Sequence, residues 1–121
     1  MEHVAALTER HLRERRPKQA LVLARCLVKK RNTLAHRRLL ASAAQQCGEL
    51  ALAARLWRSC RHDDPTNLYF LVNHAECELL LLHYASALPL LEEALARDPT
   101  SQHPAGVRAR VLILKTQKKL S

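Results

Sequence analysis

The clearest structural signal in this chain lies in residues 48–65, GELALAARLWRSCRHDDP. The apolar and small residues of this stretch fall three and four positions apart: Leu50, Ala53, Ala54 and Trp57. This spacing matches the period of an α-helix rather than that of a strand. Gly48 marks a turn before the helix, and Pro65 ends it because proline disfavours helical geometry at the preceding residue. The stretch therefore predicts one amphipathic helix between two breaks.

The same pattern recurs along the chain at intervals of 33 and 34 residues. Asp98-Pro99 repeats Asp64-Pro65, and small or large residues recur at matching distances before each proline. The matching pairs are Ala53 and Ala87, Trp57 and Leu91, and Cys60 and Ala94, with a weaker upstream copy at Ala20, Ala24 and Leu27. A period of this length indicates repeated helix pairs. We predict an all-α single domain over residues 1–121. Its repeats lie at about 1–33, 34–67 and 68–101, and a final helix lies at about 104–120.

The composition agrees with helices and excludes several classes of protein. Of the 121 residues, 48% are apolar and 26% are charged, which is too apolar for a disordered chain. Two glycines supply few of the turns that a many-stranded β fold requires. No apolar run approaches the ~20 residues of a membrane span, and the N-terminus lacks a signal-peptide core. We therefore expect a cytoplasmic protein without a membrane span.

The residues that usually perform catalysis or bind metals do not converge in the sequence. The four cysteines, Cys26, Cys47, Cys60 and Cys77, contain no C-x-x-C pair, which is the spacing typical of zinc and redox sites. The seven histidines are scattered, and several fall at predicted helix ends. We therefore expect no enzymatic activity, no metal and no cofactor.

Charge is distributed unevenly along the chain. The net charge is +8 over residues 1–38, −4 over residues 39–98 and +5 over residues 99–121, which together give the +9 of the whole chain. Basic ends are typical of proteins that bind nucleic acid or a membrane surface, and also of a basic helix face that is simply solvated. One alternative function is therefore a basic adaptor that binds nucleic acid or an acidic partner through residues 10–38 and 108–119. No aromatic residue is interleaved among these basic side chains, which argues against nucleic acid because base stacking has no support.

The motif Gly48-x4-Ala53-x3-Trp57-x2-Cys60-x4-Pro65 resembles the second half of a tetratricopeptide repeat. This resemblance implies a right-handed superhelical solenoid of three helix pairs plus a C-terminal capping helix. In such a solenoid the first helices of successive repeats line a concave groove that binds other proteins.

Three residues depart from the repeat pattern. Arg37, His74 and Glu78 stand where large apolar residues are usual. Two polar residues on a helix that should pack are a local inconsistency. We therefore expect the first helix of the third repeat to be rotated or covered by a partner.

The run Asn73-His74-Ala75-Glu76-Cys77-Glu78-Leu79 is similar to a run in the third repeat of type III secretion chaperones of the translocator class. The length agrees better with small repeat-containing chaperones of the same secretion systems, which bind a needle or early-export subunit. Both classes remain open. The resemblance implies a non-enzymatic chaperone that holds a secreted subunit in its groove. The complex is expected to be a heterodimer or a small hetero-complex, in which a co-chaperone is a further candidate partner.

The repeat register identifies the residues of the candidate groove. They are Leu39, Ser42, Gln45, Tyr69, Val72, Asn73, Glu76, Leu79 and Leu80. The apolar members are expected to form pockets for a partner, and Glu76 to fix its direction. The four leucines at 79–82 would cover every face of one helix, so we expect a partner to complete their burial.

Overall fold

The computed structural model describes residues 2–121, and these residues form seven α-helices and no β-strand. The helices are α1 (Glu2–Arg13), α2 (Pro17–Lys30), α3 (Leu34–Gln46), α4 (Leu50–Asp63), α5 (Leu68–Leu80), α6 (Tyr84–Arg97) and α7 (Pro104–Leu120). The prediction of an all-α chain is confirmed. No helix within residues 2–121 is both long enough and apolar enough to cross a membrane.

The helices pack in sequence order, each against the next one along the chain. Two further contacts skip one helix, because α1 also packs against α3 and α5 also packs against α7. These contacts bring α1 and α3 together, and α5 and α7 together. We call the surface at which the odd-numbered helices α1, α3, α5 and α7 neighbour one another the odd-helix face.

Three turns between helices have the same backbone structure. Each contains one residue with positive φ, which is 57° at Arg15, 81° at Gly48 and 65° at Leu82. At the second turn the N–H of Glu49 donates to the carbonyl of Ala44 at 2.9 Å. The equivalent bonds of the other two turns measure 2.8 and 2.9 Å, and all three match the left-handed ending that is common at helix C-termini. The helices that follow these turns are α2, α4 and α6, and their first residues lie 33 and 34 positions apart.

The starts of two first helices are also equivalent. The side chains of Thr33 and Asn67 accept hydrogen bonds from the backbone N–H groups of His36 and Phe70, each at 3.2 Å. Such N-caps satisfy backbone donors that the first turn of a helix leaves unpaired. The two capping residues lie 34 positions apart, so α3 and α5 begin in the same way.

Small residues allow the helices to approach closely in the core. The alanines at the repeated positions are all fully buried: Ala20, Ala24, Ala53, Ala87 and Ala94. Larger side chains fill the space between them, among them Leu27, Trp57 and Leu91, which are at most 3% exposed. The core therefore follows the repeated sequence positions from α2 to α6.

The last helix is attached through a buried carboxylate. Asp98 follows α6, is 8% exposed, and accepts hydrogen bonds from the N–H groups of Gln102 and His103 at 2.9 Å each. A Cβ atom at Gly106 would lie only 1.8 Å from Oδ2 of Asp98. This close approach explains a glycine inside a helix, where it otherwise lowers stability.

Candidate protein-binding face

Three shallow pockets lie in a row on the odd-helix face, and each is lined mainly by two neighbouring odd-numbered helices. Their volumes are about 360 Å³ between α1 and α3, about 230 Å³ between α3 and α5, and about 230 Å³ between α5 and α7. The first and second pockets share Arg38 and Ser42, and the second and third share Tyr69 and Asn73. The pockets therefore form one continuous groove, which we call the odd-face groove.

The structure brings together five of the nine residues that the repeat register assigns to a groove. Those that line the odd-face groove are Ser42, Tyr69, Val72, Asn73 and Glu76. Tyr69 is the most accessible of the groove aromatics, with 48% of its surface exposed. Val72 is only 1% exposed and belongs mainly to the core between α5, α6 and α7. The centre of the groove is therefore formed by α5.

The other four predicted residues have different positions. Leu39 is 2% exposed and belongs to the core between α2 and α3. Gln45 accepts a hydrogen bond from the indole N–H of Trp57 at 2.8 Å, which satisfies a buried donor. Leu79 packs partly buried against the core of α5, α6 and α7, whereas Leu80 is 55% exposed. Leu39 and Gln45 thus have structural roles in the chain itself.

Ion pairs connect neighbouring first helices across the groove. The Nη2 atom of Arg38 lies 2.9 Å from Oε1 of Glu9, which joins α3 to α1. Glu76 pairs with Arg108, which joins α5 to α7, and the side chain of Glu76 is only 19% exposed. A partner that binds Glu76 must therefore compete with Arg108.

The sequence interpretation missed the contribution of α7 and of the loop before it. Arg108 lines the groove beside Glu76, and the ring of His103 meets the ring of Tyr69 edge-on, with centroids 4.7 Å apart. The signal was available in principle, since a final helix that follows a helix pair occupies the place of a further first helix. Its residues then face the preceding first helix.

A second, larger cleft lies between α4 and α6, on the other side of α5. It has a volume of about 550 Å³, and its lining includes Arg55, Arg58, His74, Glu78 and His83. Arg55 and Arg58 are exposed there and do not line the odd-face groove. The cleft therefore supplies matched control positions for experiments on the groove.

The polar residues that depart from the repeat pattern find partners within the chain. Nη1 of Arg61 lies 2.9 Å from Nδ1 of His74. The carboxylate of Glu78 lies 3.6 Å from Nε2 of His74 and 3.0 Å from Nδ1 of His83. Arg37 donates to Ser59 Oγ at 2.6 Å and pairs with Asp63. These contacts accommodate polar side chains where apolar ones were expected.

Burial changes the protonation of this cluster. Desolvation, followed by the nearby charge of Arg61, lowers the pKa of His74. Because Arg61 donates to Nδ1, the neutral imidazole carries its proton on Nε2, which faces Glu78. Desolvation also lowers the pKa of Arg61. The imidazole is therefore held neutral as part of the packed structure.

The buried thiols offer no reactive nucleophile at neutral pH. Burial raises the pKa of Cys60 to about 11 and that of Cys77 to about 12. Both side chains are fully buried, whereas Cys26 is exposed. Since the thiolate is the reactive form, Cys60 and Cys77 act as small apolar core residues.

The leucine run at 79–82 does not form a single helical turn. Helix α5 ends at Leu80, and Leu82 lies in the following turn with positive φ. Leu80 and Leu82 are 55% and 62% exposed. This differs from the prediction of one helix that carries all four leucines, because the turn interrupts the run.

The basic stretch at residues 10–38 is divided between two ends of a helix pair. Arg13, Arg15 and Lys18 lie at the turn where α1 ends and α2 begins. Lys29, Lys30 and Arg31 lie at the other end of α2, a helix of 14 residues and thus about 20 Å long. The stretch therefore supplies two separate basic clusters.

Comparisons with protein-family models, with curated proteins and with solved structures each found no match for this chain. The resemblances to tetratricopeptide repeats and to secretion chaperones therefore stay predictions.

Proposed function

We propose that this protein is a non-enzymatic scaffold that binds a segment of another protein in the odd-face groove. The observation that carries the proposal is the continuity of three pockets along four helices. The lining of the odd-face groove combines an exposed aromatic ring, at Tyr69, with amide and hydroxyl groups such as those of Asn73 and Ser42. Such a mixture suits a peptide, because apolar side chains enter pockets while polar groups fix the backbone.

The dimensions of the groove favour a short segment of chain. Packed helices lie about 8–10 Å apart, so a row across four helices extends for about 25–30 Å. An extended peptide advances by about 3.3 Å for each residue, so about eight residues fill this length. A folded domain would instead require a flatter and larger surface.

The finer form of the proposal is a tetratricopeptide-type solenoid that acts as a type III secretion chaperone. The equivalent turns at Arg15, Gly48 and Leu82 support the repeat interpretation. The partner in this form is a secreted needle or translocator subunit, bound as a heterodimer or a small hetero-complex. A chaperone of this kind keeps an apolar segment of its partner soluble until export, which requires binding but no chemical step.

Photo-crosslinking in the native host tests the proposal directly. A photoreactive phenylalanine analogue replaces Tyr69 or Ser42 in the groove, and Arg55 or Arg58 in the opposite cleft serves as the matched control. We expect both groove positions to crosslink to one segment of a single protein, and the control positions to give none. Crosslinks to that partner from the two arginine positions alone would contradict the proposal.

Two substitutions then measure the contribution of the groove to affinity. Tyr69→Ala removes an exposed aromatic anchor, and we expect a loss of about 2 kcal/mol of binding free energy. Glu76→Lys reverses a mostly buried charge and repels Arg108, with an expected loss of about 2–5 kcal/mol. Isothermal titration calorimetry with the crosslinked partner measures both, beside a thermal melt of each variant. Undiminished affinity in both variants would locate the partner elsewhere.

A further inference from the structure

The outer side of α7 carries an apolar stripe that no other part of residues 2–121 covers. Val107, Val111 and Leu114 are 46%, 37% and 60% exposed. Their spacing of four and three residues places them on one side of the helix. The opposite side of α7 is buried, as Ala109 and Leu112 belong to the core with α5 and α6. Helix α7 is therefore apolar on two opposite sides.

The stripe makes α7 different from a helix with one buried side and one polar side. A helix that is apolar on two opposite sides is usually packed on both of them. The stripe is separate from the odd-face groove, to which α7 contributes Pro104, Ala105 and Arg108.

Positive charge surrounds the stripe. At about 100° of rotation per residue, Arg110 and Lys115 border it on its two sides, and Lys118 extends it by one further turn. Residues 99–121 contain five basic residues and no acidic one. Within residues 2–121, the ion pair formed by α7 is that between Arg108 and Glu76. Arg110 donates to Ser101 Oγ at 2.9 Å and to the carbonyl of Pro99 at 3.0 Å. Among the described residues, no carboxylate forms an ion pair with Arg110, Lys115 or Lys118.

The charge distribution disfavours a second copy of the chain as the occupant. Antiparallel pairing of two α7 helices would bring two +5 segments together, and head-to-tail stacking would bring α7 against the +8 of residues 1–38. Like charges in contact weaken such assemblies. We propose that the stripe docks an amphipathic helix of a different protein, whose apolar side is flanked by acidic residues.

A peptide titration on the full-length protein tests this assignment. The probe is a dye-labelled synthetic helix of about four turns, with leucines three and four positions apart and glutamates elsewhere. Its control has the same leucines and lysines in place of the glutamates. We expect saturable binding of the acidic peptide by fluorescence anisotropy, at least about tenfold tighter than that of the basic peptide, and weaker as salt is added.

Variants of the stripe and of its rim decide where the peptide binds. The double variant Val111→Gln/Leu114→Gln should bind the acidic peptide at least about tenfold more weakly. The double variant Lys115→Glu/Lys118→Glu should no longer bind the acidic peptide more tightly than the basic one. The matched control is Val22→Gln, an equally exposed apolar residue on α2, which should bind as the unaltered protein does. Tyr69→Ala should also leave peptide affinity unchanged, so failure of the groove proposal is distinguishable from failure of this one.

Four results would overturn the inference. The first is equal affinity for the two peptides, and the second is no saturation up to about 1 mM of the acidic peptide. The third is an equal loss of affinity in Val22→Gln and in the stripe variant. The fourth is self-association of the unaltered protein in ultracentrifugation that Leu114→Gln abolishes, since a second copy would then be the occupant.

Discussion

Ala53 shows how little space separates α4 from its neighbours. The residue is fully buried, in the same core cluster as Ala41 and Ala44 of α3. Ala53→Leu overpacks this crossing, and we expect a decrease of about 1–3 kcal/mol in the free energy of unfolding. Urea denaturation measures it. Ala6→Leu, at an exposed position of α1, is the control, and equal decreases in the two variants would show that the crossing has room.

His74 gives the protein a pH-dependent stability. Its pKa is lowered in the folded state by burial and by Arg61, so the unfolded chain binds the proton more readily. The stabilising contribution of the neutral imidazole is therefore complete above the ordinary pKa of about 6.5, and it is lost as pH falls from there through the lowered pKa of the folded state. Arg58 of α4 also lowers the pKa, whereas Glu78 raises it.

Denaturation at a series of pH values measures this contribution. We expect the free energy of unfolding to decrease between about pH 7 and about pH 5. His74→Gln removes the titrating group, so its stability should depend less steeply on pH over this range. Identical slopes for the variant and the unaltered protein would show that another group is responsible.

Among the elements, the turn between α5 and α6 holds a leucine in left-handed geometry, as the turn between α1 and α2 holds Arg15. Leu82 adopts φ of 65°, where Gly48 serves the preceding turn. Left-handed geometry is unfavourable for a leucine by about 1–2 kcal/mol, and a glycine would relieve this strain. Glycine also increases the conformational entropy of the unfolded chain, which offsets part of the stabilisation. We expect Leu82→Gly to raise the free energy of unfolding by up to about 1 kcal/mol, and Gly48→Ala to lower it by about 1 kcal/mol. Thermal melts of both variants check the pair, and destabilisation by Leu82→Gly would contradict it.

The helices themselves could be predicted because residues close to each break in the sequence determine where it falls. The spacing of apolar residues, Gly48, and the prolines at 65 and 99 act within a few positions, and α4 begins at Leu50, two residues after Gly48. The end of α5 could not be predicted in this way. Leu82 has no turn propensity, so no residue type in this turn marks the position that adopts positive φ.

At the scale of the whole molecule, α5 should be the most stable element and α1 the least. Helix α5 packs against α4, α6 and α7 and contains seven buried residues, whereas Thr8 is the one buried residue in the described part of α1. Regions with few buried contacts open most readily. We expect the amide hydrogens of α1 to exchange earlier than those of α5 in peptide-resolved hydrogen exchange. Uniform exchange along the chain would contradict this gradient.

The candidate site could be predicted only in part, for physical reasons. The register of a repeat gives the side of a helix that a residue occupies, and Tyr69, Asn73 and Glu76 line pockets of the odd-helix face. The register does not tell how deeply a side chain is buried, so it did not distinguish the buried Leu39 from its accessible neighbours. Partners distant in sequence, such as Arg108 beside Glu76, depend on how α7 packs and have no local signal.

The single tryptophan of the chain, Trp57, lies beside the central pocket of the odd-face groove, where a bound ligand would change its surroundings. Trp57 is 3% exposed, its ring lies 5.8 Å from that of Phe70, and it lines the pocket between α3 and α5 together with Asn73. Its fluorescence therefore comes from one known place beneath the groove. A ligand in the central pocket would change the emission without any label, whereas one on the outer side of α7 would leave it unaltered. The molecule thus carries an intrinsic optical reporter that distinguishes its two proposed surfaces.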